Sequence, residues 1–498
     1  MRAVIVFVAA ALSLSGCTVG PDYRKPETRL PESFTVASAS EEIATWWQAL
    51  KDKELDSLIT RAVSNNYDVE IALTRVEETR TIEAVLTGES LPSVELSGAA
   101  ARGTGTNSTK GRVSGPLNAG TNTTGLHEIT HVFGVDAFYD LDFFGRYRRE
   151  IEAAKADTAA AIETRNTVLV TVVGDVARAY IELRGLQTRL QVAERNVETA
   201  RQTVGVVQTR LDRGLTNELD LTLAQRQLAT QQAVLAPLSA GAAAATHRIA
   251  VLLGLNPEEL APELTPQASI PPVPGQIRAG LPLELLERRP EIRLAERQLA
   301  AATARIGVAT ADLFPRVALT AGLGAQGQAF GRSPVVPVSF IGSIGPQIYW
   351  PLLDFGTLDA LIEIQDLRTH EEFVSYKQTI IKAVAEVDDA LENFTAEEDR
   401  LNRLSEALIA GKRAVALASE RYDRGLTDFL NVLDAQRQEY ELEDQYASSR
   451  QAVATAYVAL YQALGGGWQN YQSLPPIHRP EPALLATFHR LGSAPQLP

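Results

Sequence analysis

Two periods organise the apolar positions of this chain, and each occurs twice. Apolar side chains step by three and four through Leu169, Val172, Val176, Ala179, Leu183, Leu186, Leu190, Ala193, Val197, Ala200, Val204, Val207 and Leu211, and no proline interrupts Arg146 to Arg213. That spacing keeps one stripe on one helix face and predicts a coiled-coil helix roughly 100 Å long. The same stepping returns at Ile380, Ala383, Val387, Ala390, Phe394, Leu401, Leu404, Leu408, Val415, Ala418 and Tyr422, with lapses at Glu397 and Gly411. Shorter returning helices run to Leu253 and Leu464 and stop at Gly254 and Gly465. They are about 50 Å long, and the helices Asp68 to Gly88 and Glu291 to Ala311 nearly make up the difference if stacked on them end to end.

Elsewhere the period is two. After Pro92, Val94, Leu96 and Ala100 alternate with Glu95 and Ser97, and beyond a polar loop at 103–126 the positions Ile129, Phe133, Val135, Ala137, Tyr139 and Leu141 face away from Glu128, Thr130, Asp136 and Asp140. In the second half Val317, Leu319, Ala321, Leu323 and Ala325 form one such face, and Val338, Phe340, Ile344, Ile348, Trp350 and Leu352 another. This predicts four long strands in two hairpins. Such alternation suits a membrane β-barrel and a half-buried soluble sheet alike. Four strands cannot close a barrel, and an open edge is not tolerated in lipid, so a membrane reading requires several chains to share one barrel.

The doubling is an internal repeat. RLDRGLTNELDLTLAQRQL at 210–228 and RYDRGLTDFLNVLDAQRQE at 421–439 align at an offset of 211 positions, which also carries Gly145 onto Gly356 and Gly254 onto Gly465. Each RGLT ends a long helix. Gly214 and Gly425 suit a left-handed cap, Thr216 and Thr427 can cap the next helix, and Glu218 or Asp428 falls in its first turn.

Composition adds exclusions. A net charge of −14, with no basic run, excludes a nucleic-acid partner, and the single cysteine, Cys17, excludes an internal disulfide. No phosphate loop, nucleophile elbow or dinucleotide fingerprint is present, and the close pair His127 and His131 has no cysteine or acid cluster nearby, so neither enzyme, cofactor nor metal site is expected. MRAVIVFVAAALSLSGC reads as a signal segment too short to span a bilayer. Its Leu14-Ser15-Gly16-Cys17 ending resembles the lipobox of bacterial lipoproteins, which implies lipid (palmitate-type) attachment at Cys17, with Thr18 favouring the outer membrane. No later apolar run is long enough for a membrane helix, so strands must do any spanning.

These readings give the domain order: signal peptide 1–16, lipidated tether 17–45, first repeat 46–255 (β-hairpin about 93–141, coiled-coil hairpin about 146–254), Pro-rich linker 256–280, second repeat 281–465 (hairpins about 316–353 and 357–464) and irregular tail 466–498. GPDYRKPETRLP after the cysteine and YDRGLTDFLNVLDAQRQ at the second tip, with the hairpins and the duplication, resemble the TolC family of outer-membrane factors, in the lipoprotein branch typified by OprM. That resemblance covers essentially the whole mature chain. It implies a mainly α fold with membrane β: a homotrimer forming a twelve-stranded β-barrel, four strands per chain, continued by an α-helical coiled-coil barrel through the periplasm of a Gram-negative cell.

It also implies a function, a passive exit duct for drugs or metal ions in a tripartite efflux system. The implied partners are a periplasmic adaptor (membrane fusion protein), an inner-membrane resistance-nodulation-division transporter and outer-membrane lipid. The family's constriction maps onto Leu430, Asp434 and Arg437, with Leu219, Leu223 and Arg226 at the matching positions of the first repeat. Spacing alone leaves Asp434 and Arg437 equally readable as a solvated i,i+3 pair. The tips Arg213, Gly214, Leu215, Arg424, Gly425 and Leu426 are expected to dock the adaptor, beyond their turn chemistry. A type I protein-secretion duct and a non-transporting trimeric spacer are the alternatives.

Overall fold

The computed structural model describes residues 18–26, 43–103, 128–274, 288–330 and 338–472. Cys17 and the signal segment lie outside the described residues, as do most of the polar loop after the first strand and the last part of the tail. The described elements are α1 (Lys53–Asn65), α2 (Tyr67–Glu89), β1 (Ser93–Gly103), β2 (Glu128–Leu141), α3 (Arg146–Asp212), α4 (Glu218–Leu252), α5 (Pro257–Leu264), α6 (Pro290–Ala311), β3 (Arg316–Phe330), β4 (Val338–Tyr349), α7 (Thr357–Asp423) and α8 (Phe429–Ala463). They fall into two compact units, each drawing on both halves of the sequence: Met1–Thr28, Val76–Ala161 and Leu294–Gln378 form one, and Arg29–Arg75, Ile162–Arg293 and Thr379–Pro498 the other.

The first unit holds the sheet. Its four strands pair antiparallel in the order β1-β2-β3-β4, so the two expected hairpins are joined by a β2–β3 ladder. Register puts Leu96 opposite Val135 and Val135 opposite Leu323, and likewise Val94 with Ala137, Ala321 and Ile344. Paired residues share a face, so one face carries Val94, Leu96, Phe133, Val135, Leu323, Phe340 and Ile344, all exposed. The other face carries Glu95, Asp136, Asp140, Thr320, Ser343 and Gln347. Among the described residues, β1 and β4 each leave one edge without a strand. β4 ends at Tyr349, short of Trp350 and Leu352, because Pro351 cannot extend the ladder; the Trp350 indole instead donates to the Leu313 carbonyl at 3.0 Å.

The second unit is built around an aromatic hub. Trp46 stacks on Tyr461 at 5.6 Å and meets Trp47 and Tyr457 edge-on at 5.9 and 6.0 Å. α1 covers it because Leu55, Leu58, Ile59, Ala62 and Val63 fall on one helical face and all are buried; Asp52 caps that helix by accepting from the Glu54 and Leu55 amides.

The 67-residue helices α3 and α7 have the expected length. The short helices meet the returning ones end to end. Asn66 accepts from the Asp68 and Val69 amides, capping α2, while its Nδ2 donates to the Leu252 carbonyl at the end of α4, 2.8 Å away. One buried side chain thus closes two helix termini. In the second copy α8 ends at Gly465, which packs on Arg289 just before α6, and the Trp468 indole donates to the Arg288 carbonyl at 3.1 Å. Replacing Asn66 with Ala should cost about 1 to 2 kcal/mol in urea unfolding, the scale of a lost cap. Asn66→Asp, which keeps the acceptor and loses the donor, should fall between Ala and wild type; equal stability of all three would contradict the double role.

Three segments carry structure that the sequence pattern did not show. The Pro-rich linker 256–280 contains a helix: α5 begins with Pro257 at its first position and buries Leu260 and Leu264. The described start of the tail is not irregular: it holds a 3-10 turn at Gln469–Tyr471, and the Trp468 ring joins the hub; residues 473–498 lie outside the described residues. One helix, α4, is long and apolar enough to cross a membrane by length and composition. Much of that apolar content is alanine between Ala233 and Ala250, which also suits close packing of helices in water.

Candidate functional site at the paired helical tips

Both tips close with the same backbone device. In the first, the Leu215 amide reaches back to the Arg210 carbonyl and the Gly214 amide to that of Leu211, both at 2.8 Å; in the second, Leu426 reaches Arg421 at 2.8 Å and Gly425 reaches Tyr422 at 2.9 Å. This six-to-one and four-to-one closure places the glycine in the left-handed region, and Gly214 and Gly425 have φ of 70° and 73°. A side chain there would be strained, so the glycines are fixed by the turn itself.

Capping departs from expectation. The first returning helix is capped by Asn217, whose side chain accepts from the Asp220 amide at 3.0 Å, and not by Thr216, whose hydroxyl bonds the Asp220 carboxylate. In the second, Asp428 is the cap residue rather than part of the first turn, and the Thr427 hydroxyl accepts from Asn431 Nδ2 at 2.7 Å. Each helix starts one residue later than the threonine would require.

The two tips are bound to each other. Val207, Ala224, Phe429, Val432 and Leu433 form a small buried core between the hairpins, with Leu223 and Tyr422 packed on it. Arg210 seals its end: the guanidinium lies 4.3 Å from the centre of the Tyr422 ring and 3.3 Å from the Asp423 carboxylate. Sequence reasoning missed this tie; the only signal was an arginine at both duplicated positions, Arg210 and Arg421.

The core divides α8 into two faces. Phe429, Val432, Leu433, Gln436 and Tyr440 point inward, and Leu430, Asp434 and Arg437 share the open face. Leu430 is 62% exposed. Both Asp434 oxygens are taken by its own helix, one by Arg437 at 2.8 Å and one by Gln438 at 2.8 Å. In the first repeat, Leu219 and Arg226 are exposed but Leu223 leans on the tip core, so the two triplets are not equivalent. At the turns, Arg213, Leu215, Arg424 and Leu426 are exposed, and Arg424 pairs with Glu420. Two leucines at the apex of solvent-exposed turns, Leu215 at 64% and Leu426 at 63%, stand outside the tip core.

This arrangement presents charge and apolar bulk on the open faces of the two tips. Comparison with known proteins gives the family. A family model described as Outer membrane efflux protein matches residues 58–255 and 281–466. The chain is 31% identical over 480 residues to the solvent efflux pump outer membrane protein SrpC of Pseudomonas putida, across 93% of this chain and 98% of that one. It is 29% identical over 466 residues to the cation efflux system protein CusC of Escherichia coli O6:H1, across 92% and 97%. Among solved structures, the outer-membrane channel OprN matches with a TM-score of 0.80 at 34% identity, across 91% of this chain and 100% of that one.

Proposed function

This chain belongs to the outer membrane efflux protein family, and from that membership we propose that it is the passive exit duct of a tripartite efflux system. The observation that carries the reading is the sheet: one face apolar and exposed, the other mainly polar, and both edges open. Water does not favour that apolar face and lipid does not tolerate those edges, so the sheet calls for neighbours that close it. Three copies related by one rotation axis close a twelve-stranded barrel with a lipid-facing outside and a wet inside. Its strands, 11 to 15 residues long, are sufficient to cross an outer membrane.

Cys17 carries the lipid, and α3, unbroken from just beyond β2 to the first tip, carries the duct into the periplasm. There Arg213, Gly214, Leu215, Arg424, Gly425 and Leu426 receive the adaptor, and a resistance-nodulation-division transporter in the inner membrane supplies the driving force. Leu430, Asp434 and Arg437 of each copy, with Leu219, Leu223 and Arg226, ring the lumen as its gate. Two of the relatives carry solvent and cations in their names, so the cargo is a small molecule or ion chosen by the pump.

The test is made on the protein extracted from outer membranes. Globomycin should block its processing, unheated samples should migrate as trimers in detergent, and the trimers should conduct ions across planar bilayers. A monomer without conductance overturns the duct.

A further inference from the structure

The inward stripes of three helices change character just behind the tip core. Nearest the turns they carry Val207 of α3, Ala224 of α4 and Leu433 of α8, all buried and apolar. Farther from the turns the same helices bury Asn196, Gln227 and Tyr440 instead, at 6, 8 and 5% exposure. Gln436, between Leu433 and Tyr440, is still met, its Nε2 donating to the Thr203 hydroxyl at 3.2 Å. The Tyr440 hydroxyl is not: it is buried with no hydrogen-bond partner among the described residues. Interiors hold few such groups, because a buried hydroxyl left unmet forfeits its hydration without return.

Asn196, Gln227 and Tyr440 border a cavity of about 300 Å³, walled by α3 and α4 of the first repeat and α8 of the second. That volume is at the small end for a ligand pocket. Val192, Ala193 and Val234 give it an apolar side. Two arginines flank it. Arg189 binds both Asp444 oxygens, through Nε at 2.7 Å and Nη2 at 3.0 Å, and Arg437 binds Asp434 through Nη2 at 2.8 Å. Each guanidinium has five N–H donors, so each keeps some to spare. Asp444 lies one turn beyond Tyr440 on α8, which brings Arg189 to the side of the hydroxyl. Burial, then the charges of Glu439 and Glu443, push the Tyr440 phenol up to about 12, so it keeps its proton at neutral pH and can donate. Of the bordering carboxylates, Asp444 is taken by Arg189, and Glu441 is exposed, where water screens it. Spare donors therefore outweigh spare acceptors inside.

We propose that this cavity binds a small planar aromatic anion, its acidic group on the Tyr440 hydroxyl and Arg189 and its ring between the apolar side and the Arg437 guanidinium. A planar guanidinium stacks on aromatic faces, and Tyr440 adds a ring of its own. Bound there, the anion bridges α8 to the first hairpin. Binding stands or falls apart from conduction, since it needs nothing of the duct reading.

Calorimetric titration of naphthalenesulfonate into full-length protein in detergent should show one saturable site per chain, beyond the heat taken by protein-free micelles. Tyr440→Phe keeps the ring and should weaken binding about tenfold, the scale of one hydrogen bond to a charge. Its thermal midpoint should be no lower than that of wild type, because the hydroxyl removed was unmet. Ala193→Leu fills the cavity and should abolish binding; if that variant fails to fold, Tyr440→Phe decides. Naphthylmethylammonium, the same ring with the opposite charge, should bind more weakly by about tenfold or more. Absence of saturable binding in wild type would leave the cavity to water and overturn the proposal. So would wild-type affinity in Tyr440→Phe or in folded Ala193→Leu, or equal affinity for the cation.

Discussion

Asp434→Ala and Leu430→Ala should each raise single-channel conductance severalfold in planar bilayers, and the double change should raise it further. The reasoning starts from what these side chains do not do. Leu430, Asp434 and Arg437 occupy the open face of α8, away from the tip core formed by Phe429, Val432 and Leu433. The Asp434–Arg437 pair is exposed on both sides and joins residues three apart, an arrangement worth no more than about 0.5 kcal/mol to the fold. Removing it leaves the tips standing. Repeated around a threefold axis, however, the same residues would form a ring of apolar bulk below a ring of alternating charge, the two devices by which pores are narrowed. Conductance is therefore the sensitive readout and stability the insensitive one. Arg210→Ala serves as a companion, since it unties the two tips without altering the open face. Unchanged conductance in both Asp434→Ala and Leu430→Ala would remove these residues from the gate.

Trp46→Ala should be the most damaging single change to the fold, lowering stability by about 3 to 5 kcal/mol, the usual cost of emptying a large aromatic site. The ring is 1% exposed, and it joins the segment before α1 to Tyr457 and Tyr461 of α8 and to the chain turning at Gly466 and Gly467. Its loss leaves a cavity where two distant parts of the chain, the segment before α1 and the end of α8 with the turn after it, meet. Thermal unfolding followed by helix signal should show a much lower midpoint, and trimers should no longer survive warming in detergent. Trp46→Phe, which keeps a ring in the site, should retain most of the stability. A midpoint unchanged in Trp46→Ala would mean that the hub does not hold the unit together.

What could be read from the sequence was what repeats locally. The three-and-four stepping located α3 and α7, the alternation located the strands, and Gly214 and Gly425 marked the turns, because each is decided by neighbours a few residues away. The side chains that stitch the fold were out of reach for the opposite reason. β2 finds β3 across the whole of α3 to α6, Arg210 finds Tyr422 from the other repeat, and Arg149 finds the Val19 carbonyl from more than a hundred residues away. None of these leaves a local period. The missed helix α5 shows a second limit: proline in a linker reads as a break, yet at the first position of a helix it favours the turn that follows. The triplets Leu430, Asp434, Arg437 and Leu219, Leu223, Arg226 could be set at matching helix positions, but their different packing could not, since Leu223 turns toward a core that only the folded tips create.

The junction at Asn66 has a temporal side. Its partner carbonyl on Leu252 lies 186 residues farther along the chain, with two strands and one of the two 67-residue helices in between. A chain arriving amino terminus first must therefore hold α1 and α2 without their neighbour while all of that is delivered. Contacts of such separation form late, because the loop they close must be gathered first. Until Leu252 arrives, the start of α2 has no returning helix to continue. The join between α2 and α4 should therefore close only after both strands and α3 have been delivered.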